Sequence, residues 1–150
     1  MHKTNKFLQL LSLACLCLAA ATVRAENSQD FGDYVVHFNA LTTDLLSPKV
    51  ASEYNIKRSG NHGMLNVVVL RKVLGATGQP VTATVSGTAS NLTGQQRTLE
   101  LREIREPNAI YYIADFGVDH EDTLTFKLNV RPEGEKDTFQ VQFRQQFFSR

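Results

Sequence analysis

Residues 123–131 read Thr-Leu-Thr-Phe-Lys-Leu-Asn-Val-Arg. Leu124, Phe126, Leu128 and Val130 alternate with Thr125, Lys127 and Asn129. Successive side chains of an extended chain point to opposite faces, so a period of two predicts a β-strand with one greasy and one wet face. The same alternation appears on both sides of this stretch. Residues 138–147 place Phe139, Val141, Phe143 and Phe147 against Gln140, Gln142, Arg144 and Gln146. Residues 81–89 set Val81, Ala83, Val85, Gly87 and Ala89 against Thr82, Thr84, Ser86 and Thr88. The small inward residues of this last segment imply close approach of a neighbouring layer.

Earlier segments are less regular, and the irregularity speaks of position. Residues 64–73 contain Val67-Val68-Val69-Leu70, a run suited to a central strand covered on both faces, with Asn66 as its polar exception. Residues 109–116 are apolar on both faces and read as a second interior strand. In residues 98–106, Leu99 and Leu101 keep phase but Ile104 breaks it, which predicts a β-bulge or a turn of face near Arg102 and Glu103. The dense charge there suits an edge strand protected against pairing with other chains. Tyr34 to Phe38 supplies an opening strand. One short helix is expected over 47–54, between the first two strands: Ser47 can cap it, and Pro48 sits at the first position, where its missing N–H costs nothing. Turn formers separate the strands, as in Gly75 to Pro80, Asn91 to Gly94, Glu106-Pro107-Asn108 and Pro132-Glu133-Gly134. About seven short strands with such spacing predict an all-β fold, an antiparallel sandwich of immunoglobulin or fibronectin type. A small closed barrel is the alternative.

The whole chain has 150 residues, with 16 basic and 15 acidic side chains, two cysteines and no tryptophan. Lys3 and Lys6 precede an uncharged apolar stretch from Phe7 to Ala21, and Val23-Arg24-Ala25 ends it with small residues at the positions a signal peptidase reads. Residues 1–25 are therefore expected to be a cleaved signal peptide and 26–150 a single β-sandwich domain in the periplasm. Three of the 16 basic residues and none of the 15 acidic ones lie in the first 25, so residues 26–150 carry a net charge of −2. Such a balance exerts no strong pull on nucleic acid or on an anionic membrane. Cys15 follows Ser12-Leu13-Ala14 and Cys17 follows Ala14-Cys15-Leu16, neither of which is a lipid-attachment context. No later segment is long and apolar enough to span a bilayer as a helix. With both cysteines leaving, the domain folds without disulfides, and at this length its own core can suffice.

Two segments carry candidate chemistry. Arg58-Ser59-Gly60-Asn61-His62-Gly63 sets polar donors between two glycines just before a strand, so Arg58, Asn61 and His62 could hold an anion or a small polar ligand close to the backbone. A solvated turn is the plainer reading of the same residues. Asp119-His120-Glu121-Asp122 is the most acidic cluster, and Asp119, His120 and Asp122 offer oxygen and imidazole ligands to a divalent cation. Four consecutive residues on a turn converge poorly on one ion, so a charged connecting loop is the plainer reading. His37 sits on a strand face beside Val35 and Asn39. The chain lacks a cysteine nucleophile in the domain, a Gly-x-Ser-x-Gly elbow, a His-Glu-x-x-His helix, a phosphate-binding loop and a dinucleotide fingerprint. No cofactor is implied.

Asp33-Tyr34-Val35-Val36-His37-Phe38-Asn39, the Ser47-Pro48 helix start and Gly63-Met64-Leu65-Asn66-Val67 together resemble a family of small secreted bacterial proteins, number 4426 in the series of domains of unknown function. The resemblance covers nearly all of residues 26–150. It implies a periplasmic location and an immunoglobulin-like sandwich, and it brings no catalytic or binding residues. The expectation is a soluble periplasmic module that binds an envelope protein through a strand edge or its loop-rich end. A small-ligand or metal-binding protein is the alternative, and an enzyme without a recognisable motif the second.

Overall fold

The structure, a computed structural model, describes residues 27–149. The expected signal peptide, with Cys15 and Cys17, lies outside the described residues. Ten strands follow in order: β1 (Ser28–Phe31), β2 (Tyr34–Thr42), β3 (His62–Arg71), β4 (Gln79–Pro80), β5 (Ala83–Ser90), β6 (Gln96–Leu99), β7 (Arg102–Glu106), β8 (Ala109–Gly117), β9 (Thr123–Pro132) and β10 (Phe139–Gln146). A 3-10 turn, Thr43–Leu45, and one helix, α1 (Pro48–Glu53), lie between β2 and β3. All pairings are antiparallel. One sheet runs β1-β2-β3-β8-β7 with β4 against the end of β3, and the other runs β10-β9-β5-β6.

The two open sheets pack face to face as a sandwich, and neither closes into the alternative barrel. Val36, Leu65, Val67 and Val69 from the first sheet meet Leu124, Phe126, Leu128 and Val130 from the second in one buried cluster. The decisive segment behaves as its alternation requires: the four apolar residues of β9 are buried and Lys127, Asn129 and Arg131 are exposed. Each fully buried large side chain of this kind stabilises the fold by about 1.5–3 kcal/mol. Phe126 stacks on Phe143 at 4.8 Å and meets Phe116 at 5.5 Å, so the aromatic rings bridge β8, β9 and β10.

The strand count is ten rather than seven, and each addition has a local cause. β1 is almost wholly exposed and has no apolar alternation to announce it. β4 is two residues of the Gly75 to Pro80 loop that pair with Leu70 and Arg71. The phase break before Ile104 marks the point where the chain leaves one sheet at Leu99 and joins the other at Arg102. β7 then forms the edge of its sheet, as its charge density suggested. The small residues of β5 do mark close approach, but toward the next strand of the same sheet: a Cβ on Gly87 would sit 2.5 Å from Leu128 Cδ2.

The helix lies between the second and third of the ten strands. Ser47 Oγ accepts a hydrogen bond from Val50 N at 3.3 Å, Pro48 opens the helix, and Asn55 leaves it with φ of 53°. α1 covers part of the outer face of the first sheet, where Ala51 and Ile56 pack on Met64 and Ile113. This is why β3 and β8 read as apolar on both faces.

Polar side chains join the sheets at the end that carries the β1–β2 and β9–β10 turns. The Tyr34 hydroxyl accepts from Arg71 Nη2 at 2.7 Å and donates to Glu135 Oε1 at 2.8 Å. The Tyr112 hydroxyl accepts from Ala83 N at 2.8 Å and donates to Glu103 Oε2 at 3.0 Å, linking β8 and β7 to the start of β5. Lys72 Nζ meets Asp30 Oδ2 at 2.5 Å on the surface nearby.

Candidate functional site

The opposite end of the sandwich gathers the crossover from β2 to β3, the β5–β6 turn, the β8–β9 loop and the chain after β10. Its organising residue is Thr43, fully buried. Thr43 Oγ1 donates to the Lys57 carbonyl at 2.7 Å and accepts from Ser59 N at 2.9 Å, which ties the segment after α1 to the 3-10 turn. Arg58 Nη2 donates to the Asp44 carbonyl at 2.9 Å, so this side chain braces the crossover. Asn61 uses its backbone: its carbonyl accepts from Val118 N at 2.9 Å. That bond sets the Arg58 to His62 segment directly beside the β8–β9 loop. The two candidate segments, separated by more than fifty positions in sequence, are therefore neighbours at one end of the fold.

His62 opens β3 opposite Gly117, half-buried, and its Nδ1 is buried without a hydrogen-bond partner. Asp44 Oδ1, on the 3-10 turn, is buried and unpartnered as well. A buried polar atom without a partner forfeits about 1–3 kcal/mol. On the other loop, His120 packs toward the end of the chain: its Nδ1 lies 2.8 Å from the Ser149 carbonyl, its ring meets Phe148 edge-on at 6.5 Å, and Nε2 is 3.8 Å from Glu121 Oε1. Asp119 and Asp122 close a turn through their backbones, and the Asp122 carbonyl accepts from Phe147 N at 2.8 Å. Among the described residues, no three His, Cys, Asp or Glu side chains converge in a way that could hold a metal ion. His37 lies elsewhere, on the outer face of the first sheet, in a recess of about 280 Å³ with Asn27, Asn39 and Asn66.

Three apolar side chains at this end were not singled out by the sequence. Leu45 on the 3-10 turn is 71% exposed, Leu92 in the β5–β6 turn 73%, and Phe148 beyond β10 58%. Leu92 stands among polar residues, while Leu45 and Phe148 each adjoin one apolar neighbour, Leu46 and Phe147, and no periodic pattern places any of the three on a buried or an exposed face. Asp44 was missed for the same reason, since it is half-buried and the burial of its Oδ1 comes from the fold of the crossover and not from its neighbours in sequence.

The family profile described as "Domain of unknown function (DUF4426)" matches residues 28–150. The chain belongs to the DUF4426 family. The crystal structure of a DUF4426 family protein from Pseudomonas aeruginosa PAO1 is 36% identical, covers 85% of this chain and 98% of its own, and superposes with a TM-score of 0.72. FetP of uropathogenic Escherichia coli strain F11, expressed in the periplasm of E. coli, shares the fold at 12% identity, with a TM-score of 0.56 over 81% of this chain and 92% of its own. A copper-bound single-residue variant of FetP gives a TM-score of 0.58 over 83% and 96%, again at 12% identity. A comparison with curated proteins finds none that matches. The DUF4426 sandwich is thus shared more widely than its sequence.

Proposed function

We propose that this DUF4426 protein is exported, loses residues 1–25, and works in the periplasm as a module that binds an envelope protein through the loop end of its sandwich. One observation carries the reading: Leu45, Leu92 and Phe148 stand exposed on three separate segments at the same end, whereas the exposed Val73 and Leu74 at the other end are neighbours on one loop. Single apolar residues scattered over a surface need no explanation, but several presented together by loops on a rigid scaffold suit a contact that buries them. A large aromatic such as Phe148 is the kind of anchor that dominates binding energy.

The copper of the FetP variant is not carried into this reading. The likeness at 12% identity concerns the fold, and the described residues bring no cluster of metal ligands together. The export half is tested by the mass of the protein recovered from the periplasm, which should begin at Glu26. For the binding half, the Leu45→Ser/Phe148→Ser double variant should fold as the parent does and lose the envelope protein that co-purifies with the parent. Equal recovery of that protein by both forms would refute the loop end as the contact.

A further inference from the structure

The outer face of the four-stranded sheet differs chemically from the rest of the molecule. The four strands β5, β6, β9 and β10 contain no Asp or Glu, although residues 26–150 as a whole are net acidic. Facing outward are Lys127, Arg131 and Arg144, all exposed, and among the described residues none of the three enters an ion pair or a side-chain hydrogen bond. Gln142 pairs with Lys127 and Thr125 with Arg144, so Lys127 and Arg144 are diagonal neighbours. Diagonal neighbours of this kind stand about 7–8 Å apart. Arg131 is four residues further along β9, about 13 Å away. Lys127 lines a depression of about 780 Å³ together with Asn129, Gln140, Gln142 and the hydroxyls of β5 and β6, and Arg131 and Arg144 stand outside that lining on the same face.

We infer that this face binds an acidic polysaccharide. The cations meet carboxylates spaced along the polymer, and the amide and hydroxyl side chains meet its sugar hydroxyls as both donors and acceptors. The face has no aromatic ring to stack a base, which the single-stranded nucleic-acid surfaces require. It has no exposed apolar side chain to enter a bilayer, which an interfacial membrane contact requires. The remaining charge of the chain is negative, so attraction for an acidic ligand is confined to this face. This surface lies on the side of the sandwich and not at its loop end, so the two contacts can fail separately.

Affinity electrophoresis of the purified protein in native gels cast with alginate, a carboxylated polysaccharide, tests the inference. The protein should be retarded in alginate and not in neutral dextran, and added salt should weaken the retardation. Lys127→Gln and Arg144→Gln should each weaken binding about tenfold, as expected for loss of one charge-assisted hydrogen bond. Both side chains are exposed, so the melting temperature should hold. Lys136→Gln, in the β9–β10 turn, should bind as the parent does. No retardation in alginate, equal retardation in dextran, equal weakening by the Lys136 variant, or equally tight binding of a single-stranded DNA would each overturn the inference.

Discussion

The two ends of the sandwich differ in how completely their buried polar groups are satisfied. At the turn end, Tyr34 and Tyr112 reach across from one sheet to groups on or beside the other, and both hydroxyls are satisfied as donor and acceptor. At the loop end, the hydrogen bonds of Thr43 and Arg58 stay within a single crossover, two buried polar atoms go without partners, and three large apolar side chains face solvent. Beneath those loops the sheets are joined by the rings of Phe116, Phe126 and Phe147. The turn end has a ring stack between the sheets too, Phe31 on Phe139 at 4.5 Å, and exposes Val73 and Leu74. The loop end has a polar bond between the sheets as well, from Arg97 Nη1 to the Gly117 carbonyl at 2.8 Å, and what sets it apart is the pair of buried polar atoms without partners, His62 Nδ1 and Asp44 Oδ1.

The division can be broken most forcefully from inside. Phe126→Ala removes the ring that joins Phe116, Phe143 and Phe147, and the lost burial plus the cavity should cost about 3–5 kcal/mol in a denaturant titration. A loss under about 1 kcal/mol would mean that the loops themselves hold that end. At the turn end, Tyr112→Phe leaves Ala83 N without its acceptor and should cost about 1–3 kcal/mol.

The Tyr112 hydroxyl also carries a pH signature. Burial pushes its pKa above the ordinary value, and the neighbouring Glu103 adds to the rise. A folded-state value above the unfolded one contributes stability that is fully present below about pH 10 and is lost as the pH climbs through the raised value. The parent should therefore weaken above about pH 10 more steeply than Tyr112→Phe, and identical alkaline profiles would remove Tyr112 from the account.

The smallest effect belongs to the surface pair. Lys72 and the Gly32 N–H hold the Asp30 carboxyl below the usual carboxylate range. This group's contribution is present above the ordinary aspartate value, about 3.9, and is lost as the pH falls through the lowered one. Lys72→Ala should bring the Asp30 titration back toward its ordinary value in an NMR experiment, with little change in melting temperature, because the pair is exposed.

How much of this was written in the sequence depends on how local each cause is. Burial of one face over several residues leaves a period of two, so β9 and β10 could be read directly. The capped helix start at Ser47-Pro48 was equally legible. β1 could not be read, because it pairs with β2 while staying exposed. The switch of sheet between Leu99 and Arg102 was visible as a broken phase, but whether that meant a bulge or a change of layer is decided by partners far away in the chain. At the candidate site, the glycines around Asn61 and His62 drew notice to a segment that the fold places beside the β8–β9 loop. The adjoining Val118 bond, the burial of Asp44 Oδ1 and the exposure of Leu45, Leu92 and Phe148 all arise from the meeting of four separate segments, which no single stretch of sequence records.

Photo-crosslinking in intact cells tests the division of labour most directly. A photoreactive residue placed in turn at Leu45, Leu92, Phe148 and, as the opposing reference, the fully exposed Leu74 in the β3–β4 loop would compare the two ends on one chain. The account predicts one discrete crosslinked species from the three loop-end positions and none from Leu74. Labelling from Leu74 alone, or equally from all four positions, would contradict it.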